Sequence, residues 1–423
     1  MTTDTAAASA FPPVTLRQRL LIFAVLLLAF TLCQFLRSSL AVVAPEMVQE
    51  LGLTPRELGF ITAIFFVAMA AMQIPAGMMF DRFGVRPITG TALVAAVAGG
   101  VIFSTGHELW QFLLGQFLFG IGMSPLFMGS IMVVARWWGA AKFATLSATM
   151  MAISYVGNIG ATMPLAHAIE WVGWRYSMLG PSIILGVATA LFFLVVRDAP
   201  PGHPWWGERR KESAREVFAG VLEALRHPVM PGLLAASFIG YAAGYAIRGL
   251  WIGPYMLDVF GLDAITRGDI LFVSAIMGMV GLYVSGQLAG RFNPRPVVMG
   301  FAGVAGVSLA LLALVGDPGM TLFLIAFLAF SMVANFFPAV MGHAQMTFPE
   351  RLRGRSLTLI NFSCFVGVGI TQVVTGYLID SFPSDARGAH PEEAYRAMYA
   401  YLACLLAAGI AVYAVFGKVS RRS

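Results

Sequence analysis

The chain has 423 residues, of which 58% are hydrophobic and only 11% charged, with a mean hydropathy of +0.79. No soluble domain of that length covers so much apolar surface, so the composition excludes a water-soluble globular protein and points to a polytopic helical membrane protein. The net charge of +6 does not signal nucleic acid, because the basic residues form short clusters between apolar runs, as membrane orientation requires.

Residues 1–15 are small and polar, with Pro12 and Pro13, and read as a disordered tail. Arg17 and Arg19 then precede an apolar run over about 20–44, too long for a signal-peptide core and without a clear cleavage site. It is the first of twelve expected membrane helices, each near the 20–25 residues that a ~30 Å bilayer demands. The expected spans are 19–45, 56–80, 87–106, 109–135, 143–167 and 174–196, then 230–257, 267–290, 296–315, 319–343, 355–380 and 394–416. The fold class is therefore an all-α integral membrane protein, organised as a tail and six-helix bundle (1–196), a central loop (197–229), and a second six-helix bundle with its tail (230–423).

The central loop opens on the breaker-rich Pro200-Pro201-Gly202-His203-Pro204. Ala214 to Leu225 follows, with Val217, Val221, Leu222 and Leu225 on one face, the pattern of an amphipathic helix on the membrane surface. Trp205 and Trp206 suit either interfacial anchors or ordinary linker aromatics. Cys33, Cys364 and Cys404 each lie in an apolar run, with no disulfide framework or metal spacing. No zinc, phosphate-loop or nucleophile-elbow pattern occurs, so no cofactor or catalysis is expected; the chemistry is binding and movement. Twenty Lys and Arg fall on the side of both termini and the central loop, against five on the other (Arg56, Arg175, Arg267, Arg387, Arg396). Both termini should be cytoplasmic, in a multi-pass protein of the cell membrane, of bacterial inner-membrane type.

The turn Gly77-Met78-Met79-Phe80-Asp81-Arg82-Phe83-Gly84-Val85-Arg86-Pro87 returns 209 residues later, where Gly286, Arg291, Phe292, Arg295 and Pro296 repeat Gly77, Arg82, Phe83, Arg86 and Pro87. The same shift carries Pro45, Gly52 and Leu53 onto Pro254, Gly261 and Leu262, so the chain is a duplication of about half its length. The turn resembles the loop 2–3 signature of the major facilitator superfamily, with Gly77, Asp81, Arg82, Gly84 and Arg86 in place. The second copy has Gly290 where the aspartate would stand. The resemblance implies two pseudo-repeat bundles and rocker-switch alternating access. Asp81 would accept from Arg82, Arg86 or Arg136, or cap the helix near Arg355-Ser356, and so clasp the halves on the cytoplasmic side.

Arg37 and Arg248 lie inside expected helices, where a guanidinium costs at least ~2.5–3.5 kcal/mol unless it faces a cavity or a partner. No acidic residue lies deep in a helix to pair with them, which implies that the counter-charge arrives as an anionic substrate; Arg also suits bidentate capture of carboxylate or phosphate. The alternative is that each bonds backbone carbonyls or snorkels outward. Helical spacing places Gln34 with Arg37, and Tyr241, Tyr245 and Trp251 with Arg248. Tyr155 and Asn158 on helix 5, Asn335 on helix 10, and Asn361 and Gln372 on helix 11 are further candidates for substrate contact, although intramembrane polar groups also serve as glue between helices.

Arg37 to Pro45 also resembles the first helix of the organic-anion branches of the superfamily, the organophosphate:phosphate antiporters and anion:cation symporters. Arg37 precedes Pro45 by eight residues but Arg248 precedes Pro254 by six, which leaves open whether the two converge on one ligand. Gln116 stands where many proton-coupled relatives have an arginine, and Gly157-Asn158-Ile159-Gly160 lacks the Gly-Pro pair of drug:proton antiporters. The expected function is secondary active transport of a small organic anion by a functional monomer in the lipid bilayer, with a coupling proton or other ion left open. A carrier of neutral or cationic solutes and a non-translocating sensor are the alternatives.

Overall fold

The computed structural model describes residues 15–203 and 214–417, apart from the side chains of 140, 141, 144, 214, 215, 217 and 218. The tail expected to be disordered, Trp205 and Trp206, Arg209-Arg210-Lys211 and the Val217 side chain therefore lie outside the described residues. The chain is helical nearly throughout. Thr15 caps α1 (Leu16–Ser38) by accepting from the Gln18 amide at 3.2 Å. The helix breaks at Ser39, whose hydroxyl donates back to the Leu36 carbonyl at 2.8 Å, and resumes as α2 (Leu40–Leu51). A capping box opens α3 (Pro55–Phe83): the Glu57 amide donates to Thr54 Oγ1 and the Thr54 amide to Glu57 Oε2, with proline at the first helical position.

After α4 (Val85–Thr105) comes α5 (Leu109–Gly160), interrupted by the positive φ of Gly139, and then α6 (Met163–Val195), interrupted likewise at Gly173. Beyond the short α7 (Ala214–Leu225), α8 (Met230–Ala246) runs through a π turn (Ile247–Trp251) into α9 (Ile252–Asp258). The rest is α10 (Ala264–Arg291), α11 (Pro294–Leu314), α12 (Gly319–Val333), α13 (Phe337–Thr347), α14 (Glu350–Asp380) and α15 (Glu392–Phe416). Eleven stretches among the described residues are long and apolar enough to cross a membrane. The segment between Gly139 and Gly173, bent at Ala161 and Thr162, occupies the place of the fifth expected helix, so the arrangement is compatible with twelve.

The internal repeat reappears as a bond. Arg86 Nη2 donates to the Phe193 carbonyl at 2.5 Å, tying α4 to α6, and Arg295 Nη2 donates to the Ala414 carbonyl at 2.5 Å, tying α11 to α15. The caps differ. Asn293 caps α11 from within its own turn, but the first copy takes a carboxylate from a distant element: Asp198 Oδ1 accepts from the Val85 and Arg86 amides.

The halves meet tightly at the end of the bundle opposite the termini. Pro45 has no N–H to give the Ala41 carbonyl, and Gly253 of α9 packs onto that carbonyl so closely that a Cβ there would lie 1.9 Å from the oxygen. A Cβ on Gly59 would likewise lie 2.5 Å from the Gln372 carbonyl. Arg56 stacks on Tyr377 at 4.4 Å, and Arg267 Nη2 of α10 bonds Glu46 Oε1 of α2 at 2.6 Å.

Candidate functional site

Between the halves lies a cavity of about 190 Å³, below the ~300–1,000 Å³ of drug-sized sites and suited to a small solute. Its walls come from α1 and α2, α5, α8 with the π turn, α10, and the gap between α12 and α13. Irregular backbone at membrane depth is tolerated where it lines a cavity or is buried in protein, and the breaks of this chain follow that rule. Gln34 and Ser38 precede the Ser39 break, Asn158 and Thr162 flank the bend after α5, Arg248 sits in the π turn, and Asn335 stands between α12 and α13.

Of the two intramembrane arginines, Arg248 reaches this space, and Arg37 stands against its wall but is not among the lining residues. Arg248 lines it and donates from Nη2 to Asn335 Oδ1 at 3.0 Å. Arg37 lies over the ring of Tyr245, 5.3 Å from its centroid, and Tyr245 lines the cavity. The charge of Arg37 also faces the hydroxyls of Tyr241 and Tyr155, and Tyr155 faces Arg248 as well. The Nε atoms of both arginines are buried without a hydrogen-bond partner. Despite the unequal spacing to Pro45 and Pro254, both arginines face the Tyr155 hydroxyl, Arg248 from a π turn that shifts the angular register of its helix. No carboxylate is among the lining residues. Apart from Arg248 the polar lining is neutral: Gln34, Ser38, Ser154, Tyr155, Asn158, Thr162, Tyr241, Tyr245, Ser274 and Asn335, with the Ser38 hydroxyl donating to Asn158 Oδ1.

Besides Arg37, three expected contacts lie outside the cavity lining. Trp251 was placed on the face of Tyr241 and Tyr245, but the π turn rotates it away; it is buried and donates to Thr375 Oγ1 at 2.7 Å. Gln372 is buried and donates from Nε2 to the Tyr245 carbonyl at 3.1 Å, just ahead of the π turn. Asn361 is half-buried on α14, away from the lining residues. Sequence reasoning missed Ser38, whose role appears only when α5 lies beside α1.

Asp198 is part of the charged cluster at the end of the bundle where the Asp81 clasp is expected. Arg136 pairs with Asp198 at 3.9 Å and Arg86 bonds Asp198 and Phe193, all within the first half; Arg295 stays within the second. Phe80 packs in the core while Asp81, Arg82 and Phe83 are exposed, and Arg82 stacks on Phe83 at 5.2 Å. Gly84 has φ 92, and a Cβ there would lie 2.9 Å from Asp198 Oδ1, so the turn needs glycine twice over. Gly77 and Gly286 lie at the same end, and Arg291 is exposed. Arg355 lies against Gly220 of α7, and Arg351 forms a two-pronged pair with Glu223. That hydrogen-bonded pair holds the Glu223 carboxyl below the usual carboxylate range. α7 is thus docked on α14 through Gly220, Val221 and Ala224, while Leu222 and Leu225 stay exposed, which splits the single apolar face expected of it.

The profile of the Major Facilitator Superfamily matches residues 26–371 and 254–423. The chain belongs to the Major Facilitator Superfamily. It is accordingly a multi-pass membrane protein of a transporter family. It is 27% identical to a putative tartrate transporter of Agrobacterium vitis over 283 residues, 61% of each chain, so the match spans less than two thirds of that relative. It is 24% identical over 400 residues to a probable L-galactonate transporter of Escherichia coli (strain K12), covering 89% of this chain and 84% of the other. Among solved structures, a bacterial homolog of the human lysosomal transporter Spinster superposes with a TM-score of 0.78 at 16% identity, over 96% of this chain and 98% of that one, a likeness of fold.

Proposed function

We propose that this transporter moves a small organic anion, of the hydroxylated carboxylate or phosphate-ester class, held between Arg37 and Arg248. The observation that carries the proposal is the Arg248 guanidinium in the wall of a cavity whose lining holds no carboxylate, with the Arg37 guanidinium stacked on Tyr245 of the same wall. Two cations in a low-dielectric space attract an anion strongly, and their planar donor forks match carboxylate and phosphate oxygens. The neutral hydroxyls and amides around them suit the hydroxyl groups of a polyhydroxy acid. The names of the relatives, a tartrate and an L-galactonate transporter, agree with that chemistry. Movement follows by alternating access: the seal at Glu46–Arg267 closes one end of the cavity and must part for the other state.

Purified protein in proteoliposomes tests the proposal with radiolabelled L-tartrate and galactarate, a sugar phosphate, and neutral galactitol. Accumulation or counterflow of at least one anion, with none of galactitol, is the expected result. Accumulation of the neutral solute alone would promote the alternative carrier, and ligand binding without flux would promote the sensor. Both termini and the central loop are proposed to face the cytoplasm; labelling of Arg210→Cys by an impermeant thiol reagent from outside intact cells would overturn that orientation.

A further inference from the structure

Asn335 stands in the gap between α12 and α13, and its amide is used on both sides. Its Oδ1 accepts from Arg248 Nη2 at 3.0 Å, and its Nδ2 donates to the Gly278 carbonyl of α10 at 2.9 Å. The backbone around it is clamped to the same helix. Ser285 Oγ donates to the Asn335 carbonyl at 2.9 Å, and a Cβ on Gly281 would lie 1.6 Å from the Met332 carbonyl. Gly278 is where the groups converge: a Cβ there would lie 2.6 Å from Arg248 Nη1, 2.9 Å from Asn335 Nδ2 and 3.1 Å from the Tyr155 hydroxyl.

We infer that Asn335 is a positioning residue that acts through Arg248, fixing the guanidinium against α10 so that its remaining donors face the cavity, rather than a direct contact of the cargo. The inference rests on the anion-binding reading of Arg248. Its chemistry explains the residue type. The position needs one acceptor for the guanidinium and one donor for a helix carbonyl, on a short neutral side chain. Aspartate supplies two acceptors, so it would oppose the Gly278 carbonyl and neutralise Arg248 from within, leaving less charge for an anion. Leucine supplies neither group and would leave Arg248 to swing on its flexible stem. Because Asn335 sits in the gap between α12 and α13, the same bond ties the arginine to the break between those two helices.

Two measurements separate this inference from the function it rests on. The first needs no cargo: phenylglyoxal modification of Arg248 in the full-length protein, followed on its peptide by mass spectrometry. Asn335→Ala should speed modification at least threefold, while Gly300→Ala, where a Cβ meets open space, should leave it unchanged. Unchanged reactivity in Asn335→Ala would overturn the inference whether or not an anion is found. The second is a double-mutant cycle in L-tartrate affinity. Asn335→Ala should weaken binding about tenfold in the wild type and less than twofold in the Arg248→Gln background. An equal loss in both backgrounds would mean that Asn335 touches the cargo itself and would overturn the positioning role. If Arg248→Gln abolishes measurable binding, the modification rate decides. Should Asn335→Ala fail to fold, Gly278→Ala replaces it, because the added methyl displaces the same guanidinium. A wild-type protein that binds no anion, with faster modification in Asn335→Ala, would sink the proposed function and leave the positioning intact.

Discussion

Arg37 stacks on the Tyr245 ring and faces the Tyr241 and Tyr155 hydroxyls, while Arg248 has Asn335, and the Nε of each is buried without a partner. A buried guanidinium with an unpartnered donor gains from a cargo that brings acceptors, so Arg37→Gln should weaken binding of L-tartrate by roughly 2–5 kcal/mol. Arg37→Lys should recover little of it, since a point charge does not reproduce the planar fork. Loss of the ligand-induced rise in unfolding midpoint, with the ligand-free midpoint nearly unchanged, is the expected readout. A full thermal response to tartrate in Arg37→Gln would show that Arg248 holds the anion alone.

At the scale of elements, two attachments carry testable consequences. Asp198 caps α4 through the Val85 and Arg86 amides and lies 3.9 Å from Arg136. Asp198→Ala should cost about 0.5–2 kcal/mol, the range for loss of a helix cap. It should also lower the unfolding midpoint without changing anion affinity, because the residue lies at the loop end, away from the cavity. The docking of α7 depends on pH through Glu223. Arg351 depresses the folded carboxyl's pKa, so the attachment is complete above the ordinary glutamate value of 4.5 and fades as pH falls through the lowered value beneath it. Glu223→Gln should mimic the acid state at neutral pH. Faster amide hydrogen exchange over Ala214–Leu225 in that variant is the expected result, and unchanged exchange would mean that the apolar contacts of Val221 and Ala224 suffice.

For the whole molecule the informative contact is Glu46–Arg267, which spans the two halves with side chains only 18% and 7% exposed. Breaking a buried pair by removing one partner leaves an uncompensated charge, at roughly 3–5 kcal/mol, here set against the sealed arrangement. Glu46→Gln should shift the population toward opening at that end. Labelling of Ala166→Cys, which packs against Gly268 in the seal, should then accelerate in a background without the exposed Cys404. The charge swap Glu46→Arg with Arg267→Glu should restore slow labelling. Fast labelling in the swapped protein would assign the seal to the glycine contacts and not to the pair.

The sequence by itself determined the class of the molecule, because hydropathy and the positive clusters are imposed by the bilayer residue by residue, with no reference to tertiary contact. It also determined the duplication: the 209-residue shift that aligns Arg86 with Arg295 emerges as the same arginine-to-carbonyl bond in both halves. The two arginines were legible because a cation inside an apolar run is costly wherever it stands. Which side chains join them was not. Helical periodicity assumes an unbroken 3.6-residue turn, and the cavity is built where the turn is broken, so Trp251 rotated out while Ser38, not singled out from the sequence, came in. Asp198 and Glu46 stayed hidden for a different reason. Their partners Val85, Arg136 and Arg267 lie far along the chain, and only the packing of α4 with α6 and of α2 with α10 decides that they meet.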